Sequence, residues 1–278
     1  MTMTLRKPLT GALLSLLMVA LALVFVFPFY WMALTSLKSQ GHVYTRPPEW
    51  LPTFFTTGNY KEVLAIFPFF RYLGNTAYAA FLSAVGQTLC SAMAAYAFAR
   101  MRWKGRDAFF LVTISTMIIP TSVFAIPWYL LYWKVGILGT LTPLWLPYWF
   151  QHPFIIFLLT QFFRGIPESL SDAARIDGAN DYGIFLKIIV PLAKPALFAS
   201  FLLHFIFMWK NLMIPLMYIN NEKFFTLSVG LQTLLGGTVK PPFSQVMAAA
   251  FMASLPLVIV FLLFKKWIFT GIAASSLK

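Results

Sequence analysis

The sequence predicts an all-α polytopic membrane protein, with six transmembrane helices and a polar helix–turn–helix between the fourth and fifth. Three observations predict it. Hydrophobic residues make up 60% of the 278 and charged residues only 10%, against about 25% charged in soluble domains. Six charge-poor stretches reach the ~20 apolar residues that a bilayer crossing needs. Half of the acidic residues (Glu168, Asp172, Asp177 and Asp181) fall in the segment 164–195.

The same composition excludes other classes. A mean hydropathy of +0.77 does not belong to a soluble enzyme with one core or to a disordered chain. The net charge of +13 is read as basic loops, not as a nucleic-acid surface. Cys90 is the one cysteine, so there is no disulfide framework and no thiolate metal site. With 18 prolines, broken or kinked helices are expected.

The first apolar stretch covers 11–37, with a predicted span at 12–35. Arg6 and Lys7 precede it as they would a signal peptide. The run is too long for one, and no small-residue cleavage pattern follows. The second span is placed at 73–99 and the third at 108–133. The fourth, at 143–163, ends a long apolar run whose Gly and Pro content puts a loop first. The fifth, at 195–218, is interrupted by Lys210. The sixth is placed at 246–264.

An even number of spans puts both termini on one side. Thirteen Lys and Arg lie on that side: Arg6, Lys7, Arg100, Arg102, Lys104, Arg106, Arg164, Arg175, Lys187, Lys194, Lys265, Lys266 and Lys278. Seven lie on the other: Lys38, Arg46, Lys61, Arg71, Lys134, Lys223 and Lys240. The bias places both termini in the cytoplasm.

The segment 164–195 is too patterned for a plain connector. Pro167 suits a first helical turn, with Glu168 favoured near the helix N-terminus. Leu170, Ala173, Ala174 and Ile176 give an apolar, small-residue side. Asp177-Gly178 is a stop signal. Ile184, Phe185, Ile188 and Ile189 form a second apolar stripe, ended by Pro191 and Pro195. The pattern alone allows two readings: a connector packed beneath its own spans, or a surface that docks a soluble partner.

Asp172-Ala173-Ala174, then Gly178, then Ile188, Val190 and Pro191 resemble the "EAA" loop of binding-protein-dependent ABC importer permeases. Asp177 and Ala179 match its common extension. Asp172 stands where that family usually has Glu, which shortens the reach by one methylene. Phe27-Pro28-Phe29, Asn59-Tyr60, Asn75-Thr76 and 95–100 resemble the carbohydrate-uptake branch, of the maltose-permease G-subunit type. The resemblance implies a non-catalytic subunit in a bacterial or archaeal inner membrane. Its implied partners are a second related permease, two ABC ATPase subunits that bind the ATP and Mg, an external solute-binding protein, and a carbohydrate solute. It implies no cofactor in this chain, and no phosphate-binding Gly-rich loop is present. It also implies that Asp172, Ala173, Ala174, Asp177, Gly178, Ala179 and Pro191 form the ATPase-coupling site.

A charge within a span marks a functional site by default. Trp209, Lys210 and Asn211 resemble a Trp-Asn-acid segment of sugar permeases, with the local charge reversed. They are candidates for the solute path, favouring an anionic solute such as a uronate oligosaccharide or a sugar phosphate. Alternatively, Lys210 snorkels outward or pairs with the partner permease. His42, His152 and His204 have no metal-ligand spacing and are read as structural. The competing function is an ion-driven secondary carrier, which leaves the organised loop unexplained.

Overall fold

The structure is a computed structural model and describes residues 6–150, 152–237 and 241–276. Of the basic residues counted for orientation, Lys240 and Lys278 lie outside these, as do the side chains of Arg6, Lys7 and Lys266. All regular elements among the described residues are helical. The chain divides into two compact units, one reaching Phe69 and including Leu231–Pro256, the other comprising Phe70–Gly230 and the segment from Leu257.

In the first unit, α1 (Arg6–Ser36) is continuous. Its side chains stay exposed from Leu13 to Tyr30. The loop that follows is held by buried polar groups. The Lys38 ammonium donates to the Glu49 carbonyl at 2.5 Å and lies 4.8 Å from the centre of the Trp31 ring. On α2 (Gly58–Ile66), the Asn59 amide donates to the Ser36 and Lys38 carbonyls, both at 2.8 Å. Its oxygen accepts from Ser244 at 3.1 Å. Each buried polar group thereby recovers a partner.

The second unit is built on α3 (Phe69–Arg100). Buried Ala79, Ala80, Ala84, Ala92 and Ala95 let neighbouring helices approach closely. At Gly86 the approach is closest, because an added Cβ would lie 1.9 Å from Nε1 of Trp149. That indole donates to the Leu82 carbonyl at 3.1 Å.

Prolines account for the departures from straight spans. The predicted third span is α4 (Arg106–Ser115) and α5 (Ala125–Lys134), whose two arms meet at 89°. Ile119, before Pro120, is extended at ψ 118°, as a pre-proline residue prefers. The predicted fourth span is helical only in α6 (Pro153–Arg164). Pro143 and Pro147 reduce the preceding residues to two short 3₁₀ turns. The segment 164–195 folds as α7 (Glu168–Ile176), a turn, and α8 (Asp181–Leu192), followed by α9 (Lys194–Trp209) at 77° to α8.

The predicted fifth span breaks after Trp209, because Pro215 offers no N–H to the Asn211 carbonyl four residues back. It resumes as α10 (Met213–Tyr218). α11 (Leu227–Gly236) and α12 (Phe243–Ser276) complete the chain. Three helical stretches are long and apolar enough to cross a bilayer unbroken, Gly11–Ser36, Phe69–Arg100 and Phe243–Lys265. The bent pairs α4–α5 and α8–α9 add two more if each is one pass.

Gly86→Ala is expected to destabilise the purified chain by about 1–3 kcal/mol, the usual cost of overpacking. Gly74, on the same helix with open space around it, provides the control. Thermal unfolding in detergent should show a lower Tm for Gly86→Ala and none for Gly74→Ala.

Candidate functional site

The segment 168–192 is a helical hairpin with one face packed and one face bare. α7 ends in a Schellman turn. The Gly178 N–H donates to the Arg175 carbonyl at 3.0 Å, and the Ala179 N–H to the Ala174 carbonyl at 2.9 Å. Gly178 has φ +82°, a conformation open to glycine and strained for most side chains. Asn180 then starts α8 by accepting the Gly183 N–H on its side chain at 2.8 Å.

The two predicted apolar stripes have different fates. Ile184 and Ile189 of α8 are fully buried. They pack with Ile155, Leu159 and Phe163 of α6, Ala92, Ala95 and Tyr96 of α3, and Ala193 and Ala196. A π turn at Phe185–Ile189 carries the helix into Pro191, whose missing N–H makes a regular turn impossible there. On α7 the buried side is Ser171, with Ala174 partly buried against the core. Leu170, Ala173 and Ile176, spaced three apart, point away. Ile176 is 86% exposed and Leu170 44%.

Charged groups brace this hairpin. Arg175 pairs with Asp172 at 2.9 Å and with Asp181 at 3.5 Å, bridging α7 and α8. Desolvation is the largest single influence and opposes its charge, but the hydrogen bonds and the negative charges of Asp172 and Asp181 together outweigh it and hold the guanidinium above its usual range. Tyr96 also donates to Asp181 at 3.5 Å. Arg102 pairs with Glu168 at 3.4 Å. Deeper in, Nη2 of Arg100 donates to the Phe163 carbonyl at 2.6 Å and also to the Ile166 carbonyl. The Phe163 carbonyl also accepts the Ile166 N–H at 3.1 Å, so the guanidinium adds a second donor there and ties α3 to the α6–α7 junction.

Of the predicted coupling residues, Asp172, Ala173, Asp177, Gly178 and Pro191 are exposed, and Ala174 and Ala179 are partly buried. They share one hairpin. The predicted path residues do not join them. Trp209, Lys210 and Asn211 sit beyond the other end of α9, about 24 Å along the axis at ~1.5 Å per residue. Trp209 is buried and packs 5.5 Å from Phe205. Asn211 caps the start of α10 by accepting the Ile214 N–H at 3.0 Å. Lys210 is the exposed one of the three. It lies where the last carbonyls of α9 favour a cation.

Residues 87–273 match the family described as the binding-protein-dependent transport system inner membrane component. The chain belongs to this family. It is 31% identical to the sulfoquinovosyl glycerol transport system permease protein SmoH of Agrobacterium fabrum, over 91% of this chain and 89% of that protein. It is 30% identical to the arabinooligosaccharides transport system permease protein AraQ of Halalkalibacterium halodurans, over 98% of each. The sn-glycerol-3-phosphate transport system permease protein UgpE of Brucella abortus is 29% identical over 98% of this chain and 99% of that one. A crystal structure of a bacterial ABC transporter involved in the import of the acidic polysaccharide alginate has a chain that superimposes with a TM-score of 0.83. That likeness covers 95% of this permease and 98% of the alginate chain, at 26% identity. This permease is thus an inner-membrane transport component.

Two features of the permease escaped the sequence reading. Arg100 enters the orientation count and the resemblance at 95–100, but its clasp on the α6–α7 junction has no signature in a single sequence. The meeting of His152 with His204 is equally unsignalled, since their separation fits no motif.

Arg100→Ala and Arg175→Ala should behave differently. The first removes a part-buried donor shared by the Phe163 and Ile166 carbonyls and is expected to cost about 1–3 kcal/mol. The second removes ion pairs that are half-exposed, typically worth ~0.2–1 kcal/mol. Thermal unfolding should rank Arg100→Ala well below Arg175→Ala, which should lie near the wild type.

Proposed function

We propose that this chain is the non-catalytic permease subunit of an ATP-driven ABC importer for a sugar or oligosaccharide, with a preference for anionic solutes. It forms half of the translocation path with a second related permease. Two ATPase subunits, which bind ATP and Mg, dock on the 168–192 hairpin, and an external binding protein delivers the solute. The six apolar stretches are six passes, with the third, fourth and fifth broken, and both termini lie in the cytoplasm.

The observation that carries this reading is the hairpin. An apolar stripe of Leu170, Ala173 and Ile176, ringed by carboxylates and left bare, is what a docking surface requires. The ion pairs and the packed α8 beneath it transmit force instead of absorbing it. A transport system that names SmoH, AraQ or UgpE among its permeases supports the solute class. The alginate importer and the glycerol-phosphate permease, both handling acidic cargo by their names, support the anionic preference. Lys210 supplies the complementary charge at the end of α9.

Affinity purification of the tagged chain from its native membrane in mild detergent should recover an ATPase subunit and a second permease. An intact complex without any ATPase overturns the reading in favour of ion-driven transport. Gly178→Asp is expected to abolish ATPase recovery or ATP-driven uptake, because it strains the turn and adds a charge to the docking face. Normal uptake by that variant refutes the docking assignment.

Lys210→Gln tests the anionic preference. The ratio of acidic to neutral sugar uptake should fall about tenfold, the worth of one charged hydrogen bond. An unchanged ratio removes Lys210 from the path.

A further inference from the structure

In the second unit the ring centres of His152 and His204 lie 4.6 Å apart, at 89° to each other. Tyr148 lies 4.8 Å from His204 and 5.9 Å from His152. Phe207 closes the group, 5.7 Å from His204. His204 is only 2% exposed, and neither of its ring nitrogens has a hydrogen-bond partner among the described residues. A neutral imidazole carries one donor and one acceptor. Burying both unused is costly and is rarely kept without reason.

The group is not sealed. His152 and Tyr148 are half-buried, and Phe207 is exposed. Leu203, Phe207 and Lys210 are the exposed positions along this part of α9, spaced four and three apart, so they share one helix face. The buried imidazole therefore connects, through Tyr148, His152 and Phe207, to the face that carries Lys210.

The chemistry narrows the ligand. No third His, Cys, Asp or Glu among the described residues completes a metal ligand set. A donor and an acceptor on one ring match a hydroxyl group, which is both. The flanking aromatic faces suit the apolar C–H surface of a sugar ring. We infer that His204, His152 and Tyr148 form a subsite for the hydroxyl groups of a carbohydrate solute, on the face of α9 that bears Lys210. His204 makes the innermost contact, reached when the half-buried side chains of Tyr148 and His152 turn aside. This inference rests on the importer reading and adds to it a set of solute contacts within this chain.

The test uses the complex, purified with its native partners and reconstituted in proteoliposomes. ATP-driven uptake of arabinotriose, sn-glycerol 3-phosphate and an alginate trisaccharide is measured at limiting concentration. The probe that the wild type transports is then used with His204→Phe, His152→Phe and Tyr148→Phe, which keep a ring and remove the polar atoms. Uptake should fall about tenfold in the histidine variants, the loss of a hydrogen bond in a desolvated site, with complex yield and resting ATP hydrolysis unchanged. In the wild type, saturating probe should also slow modification of His152 by diethyl pyrocarbonate, read by peptide mass spectrometry. His204→Phe can fail to assemble; His152→Phe and the protection measurement then decide. Wild-type uptake by His152→Phe, together with no protection, overturns the subsite and leaves the importer standing. No uptake of any probe by the wild type overturns the carbohydrate reading, and the subsite falls with it.

Discussion

The 168–192 hairpin sits where the Arg100 guanidinium holds it. Arg100 closes α3, and it donates to two carbonyls at the junction of α6 and α7. A helix end that emerges from an apolar core leaves carbonyls without intrahelical partners. Water would satisfy them at an exposed end. Here the Phe163 carbonyl keeps the Ile166 N–H, and a side chain from another helix adds a donor to it and to the Ile166 carbonyl, tying α3 to the start of α7. The same α3 turn region supplies Ala92, Ala95 and Tyr96 to the core beneath α8. One helix end therefore supports both arms of the hairpin.

From that support follows the division of labour within the hairpin. α8 gives its large aliphatic side chains to the core, so its position is set by packing that tolerates little displacement. α7 gives the core only Ser171 and Ala174, so it is held at arm's length by its turn and its ion pairs. The surface it presents outward is apolar at its centre and charged at its margin. Such a helix is stiffly mounted yet free on one side.

Much of this was legible in the sequence, and the reason is physical. The hairpin is specified locally: Gly178 is demanded by a positive φ, Asn180 by a helix start, and the Ile184–Ile189 stripe by a buried face. Each signal lies within a few residues of the element it determines. The pattern of apolar windows was legible for the same reason, but their straightness was not. Prolines at 120, 143, 147 and 215 mark where helices must break, yet the angle of the break depends on what packs against it. Which way the apolar side of α7 faces was not legible: Leu170, Ala173 and Ile176 are bare, and Ala174 turns partly inward. Periodicity identifies a face and leaves open what lies opposite to it. Arg100 and the His152–His204 pair were invisible because long-range contacts between single residues have no local pattern.

Chain continuity ties the hairpin to the helices on either side of it. α6 enters the hairpin and α9 leaves it, and both are short and continuous. Their hairpin ends are joined through Phe163, Ile189 and Ala196. Their far ends meet again where His152, at the start of α6, touches His204 on α9. Two helices packed together at both ends leave little free volume between them for bending. A break comes after Trp209, where α9 stops and Lys210 stands exposed. Beyond it the chain turns before α10 begins at Met213, so α9 and α10 are separate helical segments joined at an exposed cation.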